Sequence, residues 1–238
     1  MIVRDEGTTL LLITQPDHAR LSAELMAAVQ TEAALRTATR EAVLLATREH
    51  DNGWAEVDAE PTIDPMGRPR DFMTGPAAVR RELWVRGITR VAGMDPRAGA
   101  LVAQHAVTVY AYRQNAPEWQ PFFAAIAAMR DDLLQQLGLL TGVPRQIFED
   151  EYRCVQLGDA LSLQWCNGWP GPEETLGYGG TVDGAVLRIS PDPFGGVTVP
   201  LRVLARRIPA RRYRHDAELC ETLAATPPIV VGGEARGL

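Results

Sequence analysis

The chain has no lysine; all 24 of its basic residues are arginine. That absence excludes a lysine Schiff base, a pyridoxal phosphate linkage and a standard P-loop, each of which needs an ε-amino group. Cysteine is scarce. Cys154, Cys166 and Cys220 are odd in number and spaced in no zinc pattern. They read as reduced, mostly buried thiols in a reducing compartment. Long apolar runs are missing too. The run Leu10 to Ile13 near the start is far below secretory or membrane-spanning length, and nothing later approaches a span. A soluble, cytoplasmic protein with no membrane partner is therefore expected. Positive charge is not in excess: the net charge of −6 argues against nucleic acid as a partner. A homo-oligomer is left open.

What is present is enough for a substantial core, with 46% hydrophobic residues in 238. One domain over 1–238 is expected, α+β and mainly α, with a helical core over about 15–167. A β-rich part is expected from 1–14 and 175–238. Met1 to Val3 and Thr8 to Thr14 read as a hairpin around Asp5-Glu6-Gly7. Gln15-Pro16-Asp17 reads as a helix start, with Leu21, Leu25 and Val29 on one face. A second helix is expected from about Leu35 to His50, stopping at Asn52-Gly53.

The proline-rich segment Ala59 to Thr74 has no period and reads as an ordered surface loop; loops of that length are often functional. Helices follow at about Pro76 to Ala92, Arg97 to Arg113, Pro117 to Leu139 and Pro144 to Cys166. Beyond Gly168 the texture turns β-branched, with strands expected at Val182 to Ile189, Val197 to Ile208 and Ile229 to Val231. A helix over Asp216 to Ala225 has Asp216 as its expected N-cap. The opening hairpin has no nearby partners, so it is expected to join the C-terminal strands in a small antiparallel sheet.

Of only four histidines, three sit on apolar helix faces. His18 lies three residues before Leu21, His50 follows Val43 and Ala46 at helical spacing, and His105 lies between Leu101 and Val109. Asp159 sits between Val155 and Leu163 in the same way. Each could be a hydrogen-bonded core residue when taken singly. An ionised aspartate on a buried stripe is nonetheless costly unless paired or bound to metal. Imidazole and carboxylate are ligands for zinc, manganese or iron. His215-Asp216 lies in a polar stretch and is set aside.

The order His18, His50-Asp51, helix-borne Asp159 resembles the HD-domain superfamily of metal-dependent phosphohydrolases. A longer resemblance rests on LITQPDHARLS, HDNGWAEVD followed by DPMGRPRDF, VAQHAVTVY, VQLGDALSLQWC and ISPDPFGG. In that order these stretches resemble an uncharacterised bacterial family known only as a domain of unknown function, over nearly the whole chain.

The superfamily resemblance implies His18, His50, Asp51 and Asp159 as ligands of a divalent ion (zinc, manganese or iron) on an HD-like helical core. His105 would be an added ligand or a catalytic group facing substrate, and Asp51 would orient a water. Asn52 stands where a further acid is expected, and the β-rich end departs from the usual HD core. The implied function is a metal-dependent hydrolase acting on a phosphorylated small molecule or nucleotide. Arg20, Arg48, Arg68 and Arg70 are candidates to meet the phosphate, and Trp54 a candidate to stack on a ring. The alternatives are a non-catalytic ligand-binding or regulatory protein and a di-iron oxygenase. Six arginines between Arg202 and Arg214 read as a solvated charged face before they read as a binding patch.

Overall fold

Thr14 and Pro16 decide where the first helix begins. The Thr14 hydroxyl accepts from the Asp17 amide at 3.1 Å and proline occupies the first turn, so α1 spans Gln15–Ala28. The computed structural model describes all 238 residues. Ahead of α1 lies the expected hairpin, β1 (Ile2–Asp5) and β2 (Thr9–Ile13). The helix expected from Leu35 to His50 is broken into a 3-10 turn, Ala33–Arg36, and α2 (Arg40–Glu49). At the break the Thr37 hydroxyl donates to the Ala34 carbonyl at 2.8 Å and competes with helical pairing.

Four longer helices follow the short α3 (Ala55–Ala59): α4 (Ala77–Ala92), α5 (Pro96–Val109), α6 (Gln120–Gln136) and α7 (Gly142–Asn167). Asp95 caps α5 by accepting from the Ala98 amide at 2.9 Å. Gly168, with φ of 69°, ends α7 in the left-handed region that favours glycine.

The β-rich end contributes β3 (Glu173–Thr175), β4 (Tyr178–Asp183), β5 (Val186–Ser190), β6 (Val199–Pro209), α8 (Asp216–Ala225) and β7 (Ile229–Gly237). The single strand expected over Val182–Ile189 is a hairpin instead, turned at Gly184 with φ of 60°. His215, rather than Asp216, caps α8: its Nδ1 accepts from the Glu218 amide, while Asp216 accepts from the Ile63 amide.

All seven strands join one sheet in the order β1-β2-β6-β7-β5-β4-β3. The N-terminal hairpin does reach the C-terminal strands, with Thr9 opposite Pro209 and Leu12 opposite Arg206. The sheet is mixed, not wholly antiparallel. Strands β5 and β6 run in opposite senses with β7 between them, so β7 is antiparallel to β6 and must be parallel to β5.

Along β6 the alternation is as expected: Val199, Leu201, Val203 and Ala205 are buried between exposed Pro200, Arg202 and Leu204. Val197 falls outside the strand and is exposed. One continuous cluster of 45 buried hydrophobic residues runs through both the helices and the sheet. Trp165 ties the two by donating from its indole to the Ala185 carbonyl at 3.1 Å. A second small cluster, with Leu10, Leu12, Ile208 and Leu219, sits between the hairpin and α8. No helix is long and apolar enough to cross a membrane.

Helix α2 packs against α1, α5 and α7, so these four surround one point. Gly158 permits the closest approach. A Cβ there would stand 2.7 Å from Met26 Cγ and 3.0 Å from Thr47 Cγ2.

Candidate metal centre

Five side chains converge where α1, α2, α5 and α7 meet: His18 from α1, His50 and Asp51 from the end of α2, His105 from α5 and Asp159 from α7. The three imidazoles form a row of edge-to-face rings, with centroids 5.1 Å apart for His18 and His50 and 4.8 Å for His50 and His105. All three histidines and Asp51 are buried. Five ionisable groups in an apolar interior cost several kcal/mol of desolvation per charge, which opposes folding unless they compensate one another or hold an ion.

The donor atoms face a common centre. His18 Nε2 lies 2.9 Å from Asp51 Oδ2, and His50 Nε2 lies 3.6 Å from the same oxygen. Asp159 Oδ1 lies 3.3 Å from His50 Nε2 and 4.0 Å from His18 Nε2. Bonds of about 2.0–2.1 Å to a tetrahedral or octahedral ion would place neighbouring donors about 2.8–3.4 Å apart; the 2.9 and 3.3 Å separations fall in that range, and the 3.6 and 4.0 Å separations lie above it. His105 Nε2 reaches Asp159 from the other side, 3.5 Å from Oδ2.

Outer contacts fix which ring nitrogen faces inward. His50 Nδ1 is 2.7 Å from the Thr47 carbonyl, which can only accept, so Nδ1 carries the proton and Nε2 is turned toward the carboxylates. That Nε2 is buried and makes no aligned hydrogen bond, although Asp159 Oδ1 is near. His18 Nδ1 is 3.0 Å from the Ser162 hydroxyl, which in turn meets the Ser22 hydroxyl at 2.6 Å and the Asp159 carbonyl at 3.0 Å. Ser162 thereby holds the outer nitrogen of His18, while Nε2 faces the Asp51 carboxylate, which can only accept, and donates to it. The donors form two overlapping groups that share His50, one of His18, His50 and Asp51 and one of His50, His105 and Asp159, and each is chemically suited to a divalent ion.

Charge divides the histidines. Burial opposes protonation of His50, but the Asp51 and Asp159 carboxylates outweigh it and raise the imidazole to about 9. Burial also pushes Asp51 and Asp159 up, yet the histidines around them bring both below the usual carboxylate range. His105 goes the other way. Burial lowers it to about 4, with Asp159 compensating only in part, so this ring is neutral near pH 7.

A cavity of about 330 Å³ opens against the cluster, lined by Asp51, His105 and Asp159 on one side. Trp54, expected beside a substrate, does line it, and it is buried. The loop from Ala59 to Thr74 also reaches it, through Phe72 and Met73. Its arginines do not. Arg70 holds the loop together through the Ile63 and Thr74 carbonyls, and Arg68 is exposed elsewhere. Arg20 pairs with Asp17 and Arg48 with Glu49, both outside this cavity, because each finds a carboxylate a few residues away on the helix surface.

The cation that does line the cavity is Arg80, on α4, with Trp84 one turn later. Neither is singled out by the sequence reading. The available signal was an arginine four residues before a tryptophan on the face that carries Ile88 inward. Within the Arg202–Arg214 run, Arg206 donates to the Thr226 carbonyl, Arg207 pairs with Glu6, and Arg211 and Arg214 pair with Glu218.

The family described as Protein of unknown function (DUF3891) matches residues 1–209. The chain belongs to that family. No curated protein and no solved structure matches it. The DUF3891 match contains all five residues of the cluster and ends with β6, before α8 and β7.

Proposed function

We propose that this DUF3891 protein is a metal-dependent hydrolase acting on a phosphorylated small molecule or nucleotide, with His18, His50, Asp51 and Asp159 as ligands of one divalent ion. The observation that carries the reading is the inward-facing His50 Nε2 between two carboxylates, beside a cavity that also holds a guanidinium. The order of these residues along the chain, and their presentation on four packed helices, support a resemblance to an HD-like core. A bound ion would lower the pKa of a water toward neutrality and polarise a phosphoryl oxygen.

The chain's own residues divide the remaining work. Asp51 lines the cavity and orients the attacking water. His105, neutral at pH 7 and also at the cavity wall, accepts its proton as oxygen bonds to phosphorus and the ester P–O bond breaks, and returns that proton to the leaving alcohol oxygen. Arg80 meets the phosphate and Trp54 packs on the ring of the substrate. Removing water from the reacting groups falls to Phe72 and Met73.

The test is metal content of the purified protein beside His50→Ala and Asp159→Ala, followed by a panel of phosphate esters and nucleotides. About one ion per chain, lost in both variants, with turnover of at least one ester lost as well, supports the reading. A wild-type protein that stays metal-free after incubation with zinc, manganese and iron overturns it.

A second reading, an iron-dependent oxygenase, is favoured by one feature: His50, His105 and Asp159 form a second donor group overlapping the first beside mostly apolar walls. It expects two irons per chain and a coloured protein.

A further inference from the structure

Four buried side-chain polar atoms lack a hydrogen-bond partner in this protein: Gln15 Oε1, His50 Nε2, Arg80 Nε and Trp84 Nε1. One belongs to the metal cluster. The other three belong to residues that line the cavity beside it. Native interiors leave few such groups, each at a cost of about 1–3 kcal/mol, so three around one cavity mark a place where a ligand supplies the missing partners.

Gln15 and Trp84 are almost wholly buried, at 2% and 3% exposure, and are held by their helices. The Gln15 amide N–H donates to Asp58 at 2.6 Å, which fixes the backbone from which its side chain projects. The Trp84 indole N–H has the Tyr110 hydroxyl beside it but makes no aligned bond. Arg80 enters no ion pair, unlike Arg20 and Arg48, which are neutralised by neighbouring carboxylates. Its guanidinium instead rests 5.8 Å from the Tyr110 ring and 6.0 Å from the Trp119 ring. Aromatic faces keep a cation oriented and dry without cancelling its charge.

We infer that Arg80, Trp84 and Gln15 form the recognition set for a planar ring carrying a single phosphate group. The phosphate takes the Arg80 and Trp84 donors, and the Gln15 side-chain amide reads a polar substituent of the ring. This rests on, and narrows, the hydrolase reading. One guanidinium is the only cationic side chain of the cavity, so a single phosphate is matched and a diphosphate or triphosphate is not. A volume of about 330 Å³ has room for a ring and one substituent.

Calorimetric titration of the full chain with benzylphosphonate, which cannot be hydrolysed at its P–C bond, tests the inference apart from turnover. Arg80→Gln is expected to weaken binding at least tenfold, with Arg80→Lys recovering part of the loss. Trp84→Phe keeps the ring, removes the N–H and is expected to weaken binding about threefold. Benzyl alcohol and inorganic pyrophosphate are both expected to bind at least tenfold more weakly than benzylphosphonate. If Arg80→Gln does not fold, the Arg80→Lys and Trp84→Phe pair decides.

Benzylphosphonate affinity unchanged within twofold in the folded variants, no binding to wild type, or tighter binding of pyrophosphate overturns the inference. The two proposals fail separately. Arg80-dependent binding in a protein that turns over no ester leaves this inference standing and removes the hydrolase. Ester turnover with a KM indifferent to Arg80 and Trp84 does the reverse.

Discussion

His50 donates from Nδ1 to the carbonyl of Thr47, three residues earlier at the end of the same helix, at 2.7 Å. The bond turns the other nitrogen of the ring toward Asp51 and Asp159. Thr47 contributes a backbone atom to this bond, while its side chain is buried, donating to the Val43 carbonyl and packing near Gly158. His50→Ala leaves two buried carboxylates facing each other. It should cost about 3 kcal/mol in the metal-free protein at pH 7, by chemical denaturation. An unchanged midpoint would mean that the ring does not neutralise them.

Stability should depend on pH in a way that metal reverses. A His50 imidazole raised to about 9 stabilises the fold fully below the unfolded value of about 6.5. That contribution, about 3 kcal/mol, is lost as pH rises from about 6.5 to about 9. Metal replaces the proton, so the melting temperature gained on loading with zinc should grow over the same range. A metal-free protein whose melting temperature is flat from pH 6.5 to 9 would contradict the assignment.

His105 has the opposite sign. Held down to about 4 by burial, it favours the folded state above about 6.5, and that contribution is lost as pH falls toward about 4. His105→Gln should therefore flatten part of the acid limb of a stability profile. The same variant should lower kcat against a phosphate ester about 100-fold while metal content stays at the wild-type level.

Ser162→Ala tests the support behind His18. The hydroxyl 3.0 Å from Nδ1 orients the ring without facing the centre. Its loss should weaken metal affinity about 10–100-fold with the fold preserved, as read by competition with a chelator.

Gly158→Ala should force α7 away from Met26 and Thr47, since the added carbon would lie within 2.7 Å of the former. A cost of about 1–3 kcal/mol follows, and a melting temperature lower by several degrees. Asp159 is the next residue, so bound metal should decline alongside.

Much of this was legible in the sequence because it is periodic. The apolar spacing around His18, His105 and Asp159 placed them inward, and the alternation along Val199 to Ala205 placed one face of β6. Junctions were harder. Thr37-Ala38-Thr39 carries no glycine or proline, and its helix break comes from a hydroxyl finding the Ala34 carbonyl. The arginines nearest the clustered residues in sequence went to carboxylates beside them. Arg80, thirty residues from His50, reaches the cavity because α4 is laid along it. Sequence distance was the wrong measure for a contact made by helix packing.

Strand β7 lies between β6 and β5, yet it follows every other strand along the chain. Without β7 the sheet's pairing falls into two fragments, β1-β2-β6 and β3-β4-β5, each with a bare edge where that strand belongs. The helices that carry the five clustered residues leave the ribosome earlier. Completion waits on a segment that enters like a wedge between two halves already made, and until it arrives both edges are open to pairing with another chain.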